Sequence, residues 1–118
     1  MNISAEALFR ALSDSTRLRC LALLAREGEL CVCELTQALN VPQPRVSRHL
    51  AQLRDCALVR DRRRGQWVFY RFETNNCPEW VTTVVTTTLN EVSREAPFAA
   101  DLERLRAMTD RPDRLVCA

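Results

Sequence analysis

Apolar residues recur at intervals of three and four along six stretches of the chain, and one further stretch lacks that period. Ile3, Leu8, Phe9 and Leu12 predict a helix over 3–12. Leu18, Leu21, Ala22, Leu24 and Ala25 predict a second over 15–26, with Asp14 or Ser15 as its N-cap and Gly28 as its stop. Leu35, Ala38 and Leu39 mark a short helix over 32–39, which ends at "NVPQP". Pro44 then fits the first position of a helix in which Val46, Leu50 and Leu53 form one buried stripe. The opposite face of that helix carries Arg45, Ser47, Arg48, His49 and Gln52.

A short helix, a tight turn and a helix with one basic-polar face make a helix-turn-helix, placed at about 32–56. The stretch without helical period comes next. Leu58 and Val59 are apolar and Arg60 to Arg62 charged, Gly65 marks a turn, and Trp67 to Phe72 is aromatic and β-branched. This predicts a β-hairpin with an arginine-rich tip over about 57–73, the wing of a winged helix. "VTTVVTTTL" is a poor helix former by composition. Its spacing, with Trp80, Val81, Val84, Val85, Leu89 and Val92 at threes and fours, nevertheless predicts a helix over 79–93. Pro97 opens a last helix with Phe98, Leu102, Leu105 and Met108, and 110–118 reads as a mobile tail. The expected fold is mainly α with one β-hairpin, a single domain over 1–118.

Composition narrows the function. Apolar residues are 47% and charged residues 27%, as in an ordinary globular domain, and no apolar run reaches membrane-spanning length. The N-terminus has no signal-peptide pattern, so the expectation is a cytoplasmic protein with no membrane partner. Charge is unevenly spread. Residues 43–72 hold eight arginines and two acids, a net +6, and the remainder holds nine arginines and thirteen acids, a net −4. A basic middle third on an acidic chain points to a polyanion partner. No βαβ pattern and no acid–base pair beside the cysteines supports an enzyme.

Six cysteines stand beside only two glycines and long helical patterns, which argues against a disulfide scaffold. Packing, reactivity or metal binding remain as their roles. Cys31 and Cys33 in "ELCVCEL" are the informative pair. On a regular helix, positions i and i+2 point apart, whereas on extended backbone they share a face. Chelation by both sulfurs would therefore favour a conformer with the first turn of helix 32–39 unwound or bent.

The run "LSDSTRLRCLALLAREGELCVCELTQALNVPQPRVSRHLAQLRDCALVRDRRRGQWVFYRF" closely resembles the ArsR/SmtB family of metal-responsive winged-helix repressors. "ELCVCEL" is similar to the arsenite site of the arsenic-responsive branch. The resemblance implies a homodimer formed through the terminal helices, those at about 78–109 included. It implies repression of an arsenic-resistance operon through an inverted-repeat operator in double-stranded DNA. It also implies release by arsenite or antimonite at Cys31 and Cys33, with no organic cofactor. The family's best-known site carries a third cysteine where this chain has Thr36, and a hydroxyl is not a comparable soft ligand. A third sulfur is open to Cys117, Cys77, Cys20, Cys56 or a small thiol from solution. Gln43, Arg45, Ser47, Arg48, His49 and Gln52 are the candidate groove contacts, and Arg62, Arg63 and Arg64 suit the backbone or minor groove. The alternative within the same fold is a sensor of cadmium or lead, or a thiol redox-responsive repressor.

Overall fold

Side-chain caps delimit the first two helices. Ser4 accepts the N–H of Ala7 at 3.1 Å and starts α1 (Ala5–Leu12). Asp14 accepts the N–H of Arg17 at 3.1 Å and starts α2 (Ser15–Glu27). Gly28 ends α2 at φ +91°, a conformation that residues with a Cβ rarely adopt. The structure is a computed structural model that describes residues 3–73 and 75–112. Cys117 and the end of the expected tail lie outside the described residues.

The next element was not anticipated. Residues Glu29–Cys31 form a strand, β1, too short for alternation to betray it. Cys31 then serves as N-cap of α3 (Val32–Leu39), and Asn40 closes that helix in the left-handed region at φ +55°. The second helix of the motif, α4 (Gln43–Asp55), starts one residue earlier than expected, so Pro44 takes its second position rather than its first. Both positions have N–H groups without an intrahelical partner, so proline fits either. Strands β2 (Val59–Arg64) and β3 (Trp67–Phe72) form the expected wing around Gly65. Helices α5 (Glu79–Val92) and α6 (Phe98–Ala107) follow.

The sheet runs β1-β3-β2, with both pairings antiparallel. Cys31 stands opposite Phe69 and Leu30 opposite Tyr70, so the wing extends inward to the start of α3. The core lies beneath. Leu8, Leu21, Leu24, Leu35, Leu39, Leu50, Leu53 and Leu58 are buried in one cluster with Val81, Val85 and Leu105 of the C-terminal helices. Each such side chain contributes about 1.5–3 kcal/mol of burial. Among the described residues, Phe9 on α1 and Trp80 on α5 are the large apolar side chains left exposed, at 57% and 43%.

Candidate thiol and nucleic-acid site

The strand-to-helix junction brings the two thiols of "CVC" together. Cys31 is extended and Val32 already helical, so the sulfurs of Cys31 and Cys33 meet across a Cα–Cα separation of 5.4 Å and are joined as a disulfide. Cys31 precedes the helix as its extended N-cap, so the two sulfurs meet here with α3 wound from Val32 onward. Once reduced, this pair presents two soft sulfurs on one side of one short segment, which suits a thiophilic ion. Cys31 is buried and Cys33 half-buried.

Glu34 holds this junction. Its Oε1 accepts the N–H of Cys31 at 2.9 Å, and its other oxygen pairs with Arg111, which follows α6. The far end of α3 is held by α6 and α2 together. Arg104 donates to the carbonyl of Ala38 at 2.7 Å and Arg19 to that of Leu39 at 2.7 Å. Both guanidiniums also bind the buried carboxylate of Asp101. Sequence periodicity marks α6 only by its apolar positions, so these polar contacts had no signal there.

A cleft of about 460 Å³ opens beside the thiols. Cys31, Cys33 and Thr36 line one side, Gln43 and Ser47 of α4 another, and Gln66, Trp67 and Tyr70 of the wing a third. The thiol pair and two groove-facing candidates therefore share one space. Thr36 is engaged within its own helix, donating to the carbonyl of Val32 at 2.8 Å.

The candidate DNA contacts divide. Gln43, Arg45, Arg48, Arg63 and Arg64 are exposed, and Ser47 is half-buried on the same helix. His49 is corrected: it turns inward and is buried. Its Nδ1 lies 3.1 Å from Arg17 Nη1, and its Nε2 lies 3.8 Å from Asp14. Gln52 is exposed, but its carbonyl accepts from Arg17 at 2.7 Å. Arg62 does not stand free at the wing tip. It forms two bonds to Glu29, at 2.6 and 2.7 Å, and lies 4.9 Å over the ring of Phe69. Arg17 and Glu29 are further residues that sequence reasoning missed, since neither spacing nor charge distinguishes them from other surface groups.

The other described cysteines lie elsewhere. Cys20 is fully buried on the inner face of α2, and burial pushes its thiol up to about 12. Cys56 caps the end of α4. Cys77 donates to the carbonyl of Glu73 at 3.0 Å; burial and the nearby Glu73 charge raise its pKa.

Comparison with known proteins agrees with this arrangement. The profile described as "Bacterial regulatory protein, arsR family" matches residues 14–61. Arsenic resistance transcriptional regulator ArsR1 of Pseudomonas putida is 47% identical over 105 residues, covering 89% of this chain and 80% of that protein. Arsenic resistance transcriptional regulator ArsR2 of the same organism is 47% identical over 112 residues, covering 95% of each. Among solved structures, the AntR antimony-specific transcriptional repressor superposes with a TM-score of 0.61 at 30% identity, covering 80% of this chain and 86% of that one. No helix among the described residues is long and apolar enough to cross a membrane.

Proposed function

Because this chain belongs to the ArsR family of bacterial regulatory proteins, we propose that it represses an arsenic-resistance operon and leaves its operator when arsenite or antimonite takes the sulfurs of Cys31 and Cys33. The observation that carries this reading is the meeting of the two sulfurs at the start of the helix that precedes α4. In the repressing state, Gln43, Arg45, Ser47 and Arg48 enter the major groove. Arginine pairs with guanine edges, glutamine with adenine edges, and the remaining contacts go to phosphate. Arg63 and Arg64 reach the backbone from the wing.

Two copies joined through α1 and the C-terminal helices present two α4 helices to an inverted repeat, with half-sites about 34–36 Å apart or a multiple of that. Exposed Phe9 and Trp80 support this contact, since large apolar side chains gain most by being covered. If about 6–8 phosphates are touched, the log–log slope of affinity against salt is about −5 to −7.

Arsenite condenses with the two reduced thiols and releases water. Cys31 belongs both to the sheet that carries the wing and to the cap of α3, so a shift of its sulfur is felt by both DNA-binding elements. The inducer displaces the equilibrium only as far as it binds the released conformer more tightly than the bound one.

The test is fluorescence anisotropy on the chain's own upstream DNA, under reducing conditions. Arsenite is expected to release the wild type and to leave Cys31→Ser and Cys33→Ser bound. Release of both variants at the wild-type concentration sinks the assignment of the sensor.

A further inference from the structure

We propose that this site holds arsenic(III) as a mixed thiolate, with two sulfurs from Cys31 and Cys33 and the third from a small peptide thiol seated in the cleft beside them. This rests on the arsenite reading above and specifies its third ligand.

Trivalent arsenic makes three bonds and favours sulfur in each, as a soft centre does. The junction supplies two. Thr36 stands one turn beyond Cys33 on the cleft wall, and its hydroxyl is a hard donor already committed to Val32. Cys20, Cys56 and Cys77 do not line the cleft. Among the described residues, no three histidines, cysteines or carboxylates stand together. The third valence therefore faces the cleft, whose volume of about 460 Å³ is that of a small-molecule site.

The chemistry of the lining selects the occupant. Gln37, Gln43 and Gln66 offer amides and Ser47 a hydroxyl, matched to the amides and carboxylates of a peptide, while Trp67 gives one apolar wall. An occupant there touches both α4 and the wing, so it stands between the two elements that must close on DNA.

The reaction balances without redox change at arsenic. Three As–O bonds of arsenous acid are replaced by three As–S bonds, and the three thiol protons leave with the hydroxyls as three waters. Cys31 and Cys33 must first be a dithiol, and a phosphine supplies those two electrons in the experiment without offering a competing sulfur.

The experiment uses the full chain with phosphine, arsenite, and either the tripeptide γ-Glu-Cys-Gly or its alanine analogue. Native mass spectrometry reads the adduct, and arsenic X-ray absorption counts sulfurs. The expected result is two sulfurs and one oxygen with the analogue, and three sulfurs with one retained tripeptide otherwise. Gln66→Ala and Trp67→Ala are expected to weaken tripeptide retention about ten-fold while arsenic stays on the pair. Thr36→Cys is expected to give three sulfurs with no tripeptide. Three sulfurs in the wild type without added thiol overturn the proposal, because another cysteine, Cys117 included, then completes the site. Two sulfurs and one oxygen despite the tripeptide also overturn it, and both of these leave the arsenite sensor standing. No arsenic on Cys31 and Cys33 under any condition sinks the sensor itself.

Discussion

Glu34 accepts the backbone N–H of Cys31 at 2.9 Å from a position with no solvent exposure. This bond fixes where β1 stops and α3 begins, and so sets the spacing of the two sulfurs. Glu34→Gln keeps an oxygen that can accept the same N–H, whereas Glu34→Ala removes it. A hydrogen bond to a charged group contributes about 1.5–3 kcal/mol, so the alanine variant is expected to lose about that much and the glutamine variant less. Arg111→Ala, which takes the cation from the other oxygen, is expected to cost about 1–3 kcal/mol by the same reasoning. Urea denaturation of the three variants checks this, and a Glu34→Ala protein as stable as wild type would refute it.

His49 separates a structural from a DNA-reading role. It lies on the recognition helix beside Arg48 but packs inward against Arg17 and Asp14. His49→Ala is expected to lower stability by about 1–2 kcal/mol through the lost contacts. It is expected to leave the salt dependence of DNA binding unchanged. Arg48→Ala is expected to do the reverse if it contacts phosphate, reducing the log–log slope by about 1. Paired thermal melts and salt titrations distinguish the two residues; a slope change for His49→Ala alone would contradict the inward placement.

Most of the helices and the wing were legible because each has a long enough period to repeat. α4 and its buried stripe of Val46, Leu50 and Leu53 follow the expected spacing, and Asp14, Gly28 and Asn40 punctuate the chain as their chemistry dictates. β1 was not legible, since three residues cannot display a period of two. The thiol geometry depends on it, because the chain turns from strand to helix between the two cysteines. His49 and Arg62 were misplaced for a related reason. Spacing assigns a residue to a polar face, but a half-buried partner across the fold, Arg17 or Glu29, decides whether the side chain stays in water.

Asp14 makes acid stability partly predictable. Burial opposes its charge, but the N–H of Arg17 and the positive charges of His49 and Arg17 outweigh that and hold its carboxyl below the ordinary value of 3.8. A carboxyl with a lowered folded pKa contributes stability that is complete above the unfolded value and is lost as pH falls through the folded one. Asp14→Asn is therefore expected to flatten the decline in stability below pH 3.8 while keeping an N-cap. Asp14→Ala is expected to cost about 1 kcal/mol at neutral pH as well. Denaturation curves across the acid range report both effects, and an unchanged acid slope for Asp14→Asn would remove Asp14 from the account.

Thiol accessibility gives an independent check on the cysteines. Cys20, raised to about 12 by burial, has almost no thiolate at neutral pH and no path for a reagent. In the phosphine-reduced native protein, iodoacetamide is expected to leave Cys20 unmodified and to reach Cys77 slowly, with Cys33 reacting ahead of buried Cys31. Arsenite is expected to protect Cys31 and Cys33 and to leave the rate at Cys56 unchanged. Peptide mass mapping measures each site, and arsenite protection of Cys56 would move the sensor away from the β1–α3 junction.

The three wing arginines are expected to behave differently although they are consecutive in sequence. Arg63 and Arg64 are exposed on β2, whereas Arg62 bridges to Glu29 on β1 and covers Phe69. Replacing Arg63 or Arg64 by alanine removes a cation that faces solvent, so each is expected to weaken binding to every DNA sequence alike and to reduce the salt slope by about 1. Stability should change by less than about 0.5 kcal/mol, as for most surface substitutions. Arg62→Ala breaks a two-bond ion pair that ties the wing to the strand ending at Cys31. It is expected to cost about 1–2 kcal/mol of stability, less than a fully buried pair because both side chains retain some exposure. It is also expected to alter the arsenite concentration at which DNA is released, because β1 then loses one of its holds on the wing. Glu29→Gln tests the same link from the other side and leaves the cation in place. If Arg62→Ala and Glu29→Gln both change the arsenite midpoint while Arg63→Ala does not, the β1–wing contact carries part of the signal from thiols to DNA. If Arg62→Ala matches Arg63→Ala in slope, stability and midpoint, the bridge to Glu29 has no such role.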